Sequence, residues 1–269
     1  MMPFHPVFTL GENQFQKRGG TAVRTILTAL FLGVFALLSI PLYGIVIVSG
    51  LLGSRRRAKT AQGIIKTVSK IILFLSGVKI TVIGTERVPA KEAALFIFNH
   101  RSYFDILICY CTVPAAAGFI SMKSLAKIPF LNIWMLLLNC IFIDRKNIRN
   151  GLKAIRKGVD MIKRGYSLFV APEGKRNFTG DIDMLPFKKG TFKLATKTGC
   201  PIIPVAINNA DKIYEKHLPW IRSTHVVIEY GEPIYMADLN EEDRSSLHIL
   251  TRDIIKKMLE KNQNSGLAR

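Results

Sequence analysis

The sequence predicts an α/β domain: a mixed, largely parallel β-sheet flanked by helices, behind an N-terminal apolar helical segment that anchors it to a membrane. Three observations carry this reading. After Gly77, short β-branched and aromatic runs alternate with helical patterns. From Thr25 to Leu52 there is no charged residue. Several strands also hand over to polar residues, as in open α/β sheets whose carboxyl ends carry a site. The expected organisation is a polar tail over 1–20, a membrane-anchoring helical segment over 21–76, and the α/β domain over 77–269.

The uncharged run spans 28 residues. As one straight helix it measures about 42 Å, against a hydrocarbon core of about 30 Å. One tilted span fits. Pro41 offers a second solution, splitting the run into two pieces too short to cross, as in a re-entrant hairpin. Lys17, Arg18 and Arg24 precede the run, and Arg55, Arg56, Arg57 and Lys59 follow it, so charge sets no orientation. A cleaved signal peptide fits poorly, because the apolar region is too long. The next stretch, "AQGIIKTVSKIILFLSG", places apolar residues at helical spacing. It reads equally as a core helix or as an interfacial helix on lipid.

Beyond Gly77 the elements follow in order. "VKITVIG" and "ALFIFN" read as strands, with a helix from about Ser102 through Cys111. "AGFISM" is a strand, "LAKIPFLNIWMLLL" is helical with Pro129 as kink or boundary, and "CIFID" is a strand. "NGLKAIRKGVDMIKRG" is an amphipathic helix ended by Gly165. "SLFVA" is a strand and "TFKLATKTG" a helix stopped by Gly199. "PIIPVAI" carries two prolines, which predicts a sheet edge or a strand end. "HVVIEYG" is the last strand, and Asn240–Lys261 a charged amphipathic helix.

Formal net charge is +19 while hydrophobic residues make up 49% of the chain. That pairing points to an anionic membrane surface or to nucleic acid as neighbour. The charge is concentrated: between Arg145 and Lys197 there are 14 Lys and Arg against four Asp and Glu. Cys109, Cys111, Cys140 and Cys200 lie in apolar runs without zinc spacing, so buried, reduced thiols are expected, on the cytosolic side of a membrane. The chain lacks a G-x-S-x-G elbow, a phosphate loop, a dinucleotide fingerprint, a histidine metal spacing and any RNA-recognition or zinc-finger signature.

Chemistry gathers at three strand exits. The first is Asn99-His100, followed by Asp105. Five helical residues turn the chain about 500°, so His100 and Asp105 meet only if the histidine precedes the helix. Ser102-Tyr103-Phe104-Asp105 has the S-x-x-D form of a capping box with Ser102 at the N-cap, which permits that meeting. The second exit is Asp144-Arg145, a structural pair or a guanidinium offered to phosphate. The third is Pro172-Glu173-Gly174-Lys175-Arg176, a turn with two cationic donors.

In order and spacing, "NHRSYFD", "FIDR", "APEGKR" and "PIIPVAI" resemble the four sequence blocks of the glycerolipid acyltransferase family, over roughly Val78 to Glu232. "FKKG", Phe187 to Gly190, is similar to the family segment after the third block. The resemblance implies a glycerolphosphate acyltransferase-like fold. It also implies acyl transfer from acyl-CoA or acyl-carrier protein to the sn-2 hydroxyl of 1-acyl-glycerol-3-phosphate, giving phosphatidic acid without an acyl-enzyme. On that basis His100 is the general base and Asp105 its orienting partner. Arg145, Glu173, Gly174, Lys175 and Arg176 would bind the acceptor, and Pro204 would support the donor side or the site wall. It implies no cofactor, no metal and no nucleic-acid partner, but a lysophospholipid acceptor, a thioester donor and an anionic membrane, with the site on the cytoplasmic face.

Three positions depart from the family pattern: Ala171 stands where an aromatic is usual, Lys175 where Thr or Ser is usual, and Asn139 where the second block commonly begins with glycine. Lys175 leaves a second acceptor open, a lysophospholipid with another headgroup. A third reading, a non-catalytic basic membrane- or nucleic-acid-binding protein, rests on charge alone.

Overall fold

The computed structural model of the chain describes residues 10–144, 148–180 and 182–267. Among these, seven strands form one sheet: β1 (Lys79–Ile83), β2 (Leu95–Phe98), β3 (Ala117–Met122), β4 (Ile141–Ile143), β5 (Ser167–Val170), β6 (Ile202–Asn208) and β7 (His225–Tyr230). Their order is β1-β7-β6-β2-β5-β3-β4. β2 to β6 are mutually parallel. β7 runs antiparallel to β6 and parallel to β1. The mixed, largely parallel sheet therefore brings the carboxyl ends of five strands to one edge. β2, β5 and β6 are buried along their whole length, which is why they read as continuous apolar runs.

Helices cover both faces. On one lie α1 (Leu10–Ser49), α2 (Ser54–Leu75), α3 (Phe104–Thr112) and α4 (Leu131–Leu137). Their core is aromatic: Phe96, Phe98, Phe119, Phe169 and Tyr230 from the sheet, with Trp134 from α4. On the other lie α5 (Ile148–Lys163), α6 (Lys193–Thr198) and α8 (Leu247–Asn264), preceded by the short α7 (Glu241–Ser245). They bury Leu95, Ile97, Leu168, Val170, Leu194, Ile202 and Ile255. The alternation Leu95/Ile97 to one face and Phe96/Phe98 to the other is the strand period of two. Gly199, with φ +73°, ends α6 as the sequence predicts.

Two expectations change and one open choice closes: α1 passes through Pro41, so the apolar run takes the unbroken of its two solutions. The break comes at Gly50–Gly53, where Gly53 at φ +111° turns the chain into α2. Helix also begins at Leu10, inside the segment expected as a polar tail. Finally, β6 is an interior strand although it holds Pro204. Regular pairing with β7 starts only at Val205, and Ile202 pairs instead with Ile234. The missing N–H of Pro204 falls at this interruption, where its carbonyl still accepts from Gly231 N–H at 2.8 Å. Pro201 sits before the strand, at the predicted end position.

α2 is a core helix, burying Ala61, Ile65, Val68, Ile72 and Leu73 against the sheet side. α1 is tied to the domain at two places. Thr25 Oγ1 accepts from Ile221 N–H at 2.9 Å. Further along, Trp134 Nε1 donates to Ser39 Oγ at 2.8 Å, and Tyr43 OH to the Phe130 carbonyl at 2.7 Å. Phe35 stacks on Trp134 with centroids 5.5 Å apart. Between Val23 and Val48 the other face of α1 is apolar and exposed, including Ile26, Leu30, Leu37, Ile40, Ile47 and Val48.

β3 lies close to the turn before β4. A Cβ on Gly118 would sit 2.6 Å from the Asn139 carbonyl oxygen, a backbone atom that cannot swing aside. Gly118→Ala is expected to cost about 1–3 kcal/mol by overpacking, read as a lowered melting temperature; an unchanged melt would show that the β3–β4 edge yields freely.

Candidate active site

The site is built from the exits of β2, β5 and β6. Asn99, buried at the end of β2, extends the ladder with its side chain. Its amide donates to the Ile207 carbonyl at 2.9 Å and its carbonyl accepts from Ile207 N–H at 2.8 Å. This pairing fixes where the next residue leaves the sheet. His100 N–H donates to Glu173 Oε1 at 3.0 Å. The His100 carbonyl accepts from Asn177 N–H at 2.8 Å. Both backbone groups of the histidine are thus held by the turn after β5.

The side chain meets Asp105 in the first turn of α3. Asp105 Oδ2 accepts from His100 Nδ1 at 2.9 Å, from Arg101 N–H at 2.8 Å and from Ser102 N–H at 2.8 Å. Asp105 is 1% exposed, whereas the His100 side chain is 21% exposed. A carboxylate on Nδ1 selects the Nδ1–H tautomer and leaves the Nε2 lone pair free to take a proton. The Phe98 ring packs edge-on to the imidazole, centroids 5.6 Å apart.

The capping box forms in part. Asp105 reaches back to Ser102 N–H as that motif requires, but helix starts at Phe104 and the Ser102 hydroxyl accepts from Phe104 N–H at 3.0 Å. The Ser102 hydroxyl donates instead to Glu215 Oε2 at 2.7 Å.

In the turn after β5, Glu173 points inward. Oε1 takes the His100 N–H, and Oε2 takes the Leu185 N–H at 2.9 Å. Burial pushes its carboxyl above the usual range, and the two backbone N–H donors oppose that shift. Gly174 has φ +80°, and the Lys188 ammonium lies 2.6 Å from where its Cβ would be. Lys175 is exposed, while Arg176 stacks over the Tyr103 ring, its guanidinium carbon 3.7 Å from the centroid. Pro204 is inside the sheet, opposite Ile97. Arg145 lies outside the described residues.

Sequence reasoning missed a second ring of partners. Arg101, 4% exposed, donates through Nε and Nη2 to Asp211 Oδ2 at 3.1 and 2.9 Å, and through Nη1 to the Gly180 carbonyl at 2.6 Å. Glu215 accepts from Ser102, Tyr103 and Arg176. More than 100 residues separate Arg101 from Asp211 and Ser102 from Glu215, and neither carboxylate belongs to a local motif. Among the described residues no cluster of three or more His, Cys, Asp or Glu has a metal-holding arrangement. The four cysteines are free, with Cys109, Cys140 and Cys200 buried. Burial raises all four thiols, keeping them protonated.

Comparison with known proteins shows the family of the chain. Residues 79–208 match the family model described as Acyltransferase. A 1-acyl-sn-glycerol-3-phosphate acyltransferase of Borreliella burgdorferi is 35% identical over 71% of this chain and 76% of that protein. One from Saccharomyces cerevisiae is 29% identical over 78% of this chain and 69% of its own length. The crystal structure of the 1-acyl-sn-glycerophosphate (LPA) acyltransferase PlsC from Thermotoga maritima superposes with a TM-score of 0.74 at 26% identity. That superposition covers 90% of this chain and 97% of the other. With its parallel strand exits converging on a histidine and an aspartate, the chain belongs to the acyltransferase family.

Proposed function

We propose that the protein is a membrane-bound O-acyltransferase that moves a fatty acyl group from acyl-CoA or acyl-carrier protein to the sn-2 hydroxyl of 1-acyl-glycerol-3-phosphate, giving phosphatidic acid. The observation that carries this reading is the His100 Nδ1–Asp105 Oδ2 contact at 2.9 Å, on a histidine whose side chain is partly exposed. His100 Nε2 takes the proton of the acceptor hydroxyl as its oxygen attacks the thioester carbonyl. The buried Asp105 carboxylate stabilises the imidazolium so formed. The tetrahedral intermediate collapses, the C–S bond breaks, and the thiolate leaves with the proton returned by His100. No bond forms between acyl group and protein.

Acceptor contacts fall to the cationic turn. Arg176 offers a planar guanidinium for phosphate and Lys175 an exposed ammonium, while Gly174 at φ +80° makes the turn and leaves room for the Lys188 side chain beside it. Arg145 is proposed to join them from the exit of β4. Glu173 serves the acceptor indirectly, by holding His100 N–H, and Pro204 acts through the sheet wall. A lysophospholipid with another headgroup is the second reading, favoured by the exposed Lys175.

For the membrane, the reading is monotopic. α1 contacts the domain at Thr25 and again at Ser39–Tyr43, about 21–27 Å further along the helix axis. A helix so bound lies along the domain with its exposed apolar side in lipid, and the site faces the cytoplasm with basic residues toward anionic headgroups.

His100→Ala is expected to lower kcat about 10²- to 10⁴-fold with membrane binding intact, measured as thiol release from acyl-CoA and acyl-carrier protein with a panel of lysolipids; full activity in the purified variant sinks the mechanism. In that panel, preference for a zwitterionic lysolipid selects the second reading. Glu173→Gln turns an amide donor toward a backbone donor, so kcat is expected to fall about ten- to hundredfold through loss of His100 alignment; wild-type kcat would remove Glu173 from any positioning role. Single cysteines at Gly20→Cys and Leu52→Cys are both expected to react with an impermeant thiol reagent from the cytoplasmic side; opposite-side labelling establishes a span instead.

A further inference from the structure

Arg176 already has an anionic partner. Its Nη1 donates to Glu215 Oε1 at 3.2 Å and its Nη2 to the Tyr103 hydroxyl at 2.9 Å. The guanidinium lies over the Tyr103 ring and within 5.4 Å of the Phe178 centroid. Arg176 is 24% exposed, but the Glu215 side chain only 4%. Glu215 Oε1 also accepts from Tyr103 N–H at 2.8 Å, and Oε2 from the Ser102 hydroxyl at 2.7 Å. One buried carboxylate therefore joins Ser102 and Tyr103, just before α3 and within three residues of His100, to the cationic turn after β5. It lies beyond the 79–208 match.

We infer that Glu215 is the resident counter-ion of Arg176, a positioning and specificity-determining residue that sets how strongly the site holds the acceptor's phosphate. This rests on the reading of Arg176 as a phosphate ligand. A buried carboxylate requires a paired cation, so Glu215 holds the guanidinium over the Tyr103 ring. The same contact cancels part of the guanidinium charge. A phosphate arriving at the exposed edge of Arg176 meets a weaker field than a lone arginine would present. Substrate and product share that phosphate, so the weaker field also lets product leave.

Glu215→Gln tests this directly, because its shape is kept and its charge removed. The amide oxygen still accepts from Arg176 and Tyr103, and the Ser102 hydroxyl can turn to accept from the amide. The expected result is a three- to tenfold lower KM for 1-acyl-glycerol-3-phosphate, with KM for acyl-CoA unchanged. Preference over lysophosphatidylcholine rises by the same factor. In an Arg176→Ala background the Gln change is expected to move neither quantity. A purely structural role would lower the melting temperature without splitting the two KM values. Should Glu215→Gln melt early, Glu215→Asp keeps the charge but draws it back from Nη1, and is expected to shift KM the same way by less. An unchanged or raised acceptor KM, or an equal shift in the Arg176→Ala background, overturns the inference. If Arg176→Ala itself leaves acceptor KM unchanged, the phosphate reading of Arg176 falls and this inference with it. If Arg176→Ala raises KM at least tenfold while Glu215→Gln does nothing, only the role of Glu215 falls.

Discussion

One oxygen atom, Asp105 Oδ2, receives three hydrogens: from the His100 ring and from the backbone N–H groups of Arg101 and Ser102. Those two backbone donors lie in the passage from β2 to α3 and would otherwise be buried without partners. Their satisfaction folds the loop around the carboxylate, and the folded loop places the imidazole. The His100–Asp105 pairing and helix initiation thus rest on one carboxylate rather than two. A capping aspartate and an orienting aspartate are the same residue here because a histidine just outside the helix is within reach of its first turn.

Around that atom the protein adds constraints from distant parts of the chain. Asn99 ties the end of β2 to β6, and Glu173 and Asn177 hold the His100 backbone from the exit of β5. Arg101 reaches Asp211, and Ser102 reaches Glu215, both after β6. Each residue from Asn99 to Ser102 is held by at least one partner from another strand exit. The parallel sheet makes this possible, since β2, β5 and β6 are adjacent and end on the same edge. The loop's order is therefore a property of the sheet, and the site inherits the rigidity of the core beneath it.

The two faces of the sheet divide the remaining work. The aromatic face receives α1 and α2, so the apolar segment is docked on the domain through Trp134, Ser39 and Tyr43 rather than hung from its end. The opposite face carries α5, whose exposed side includes Lys153, Arg156, Lys157 and Lys163. Exposed basic residues also flank the apolar helix on the other layer, at Arg55, Arg56, Lys59 and Lys70 of α2. Composition registers both properties and says nothing of where they lie.

The strands, the glycine stops at Gly165 and Gly199, and the histidine at a strand exit were legible in the sequence, because each depends on residues within one turn or one strand of its neighbours. So was the meeting of His100 with Asp105, which needs only a local helix start. The continuity of α1 through Pro41 was not legible, nor the interior place of β6 with Pro204. A proline's cost depends on whether its missing N–H had a partner, and the interruption opposite Pro204 is made by Gly231–Ile234. The inward turn of Glu173 and the pairing of Arg176 with Glu215 were equally hidden. A carboxylate's role is set by which donors surround it, and those donors come from chain segments that only the sheet brings together. The sequence by itself determined the periodicities, the local caps and the chemical inventory. Tertiary structure decided which charges are spent inside the protein and which are left for a ligand, because burial and pairing are properties of neighbours in space.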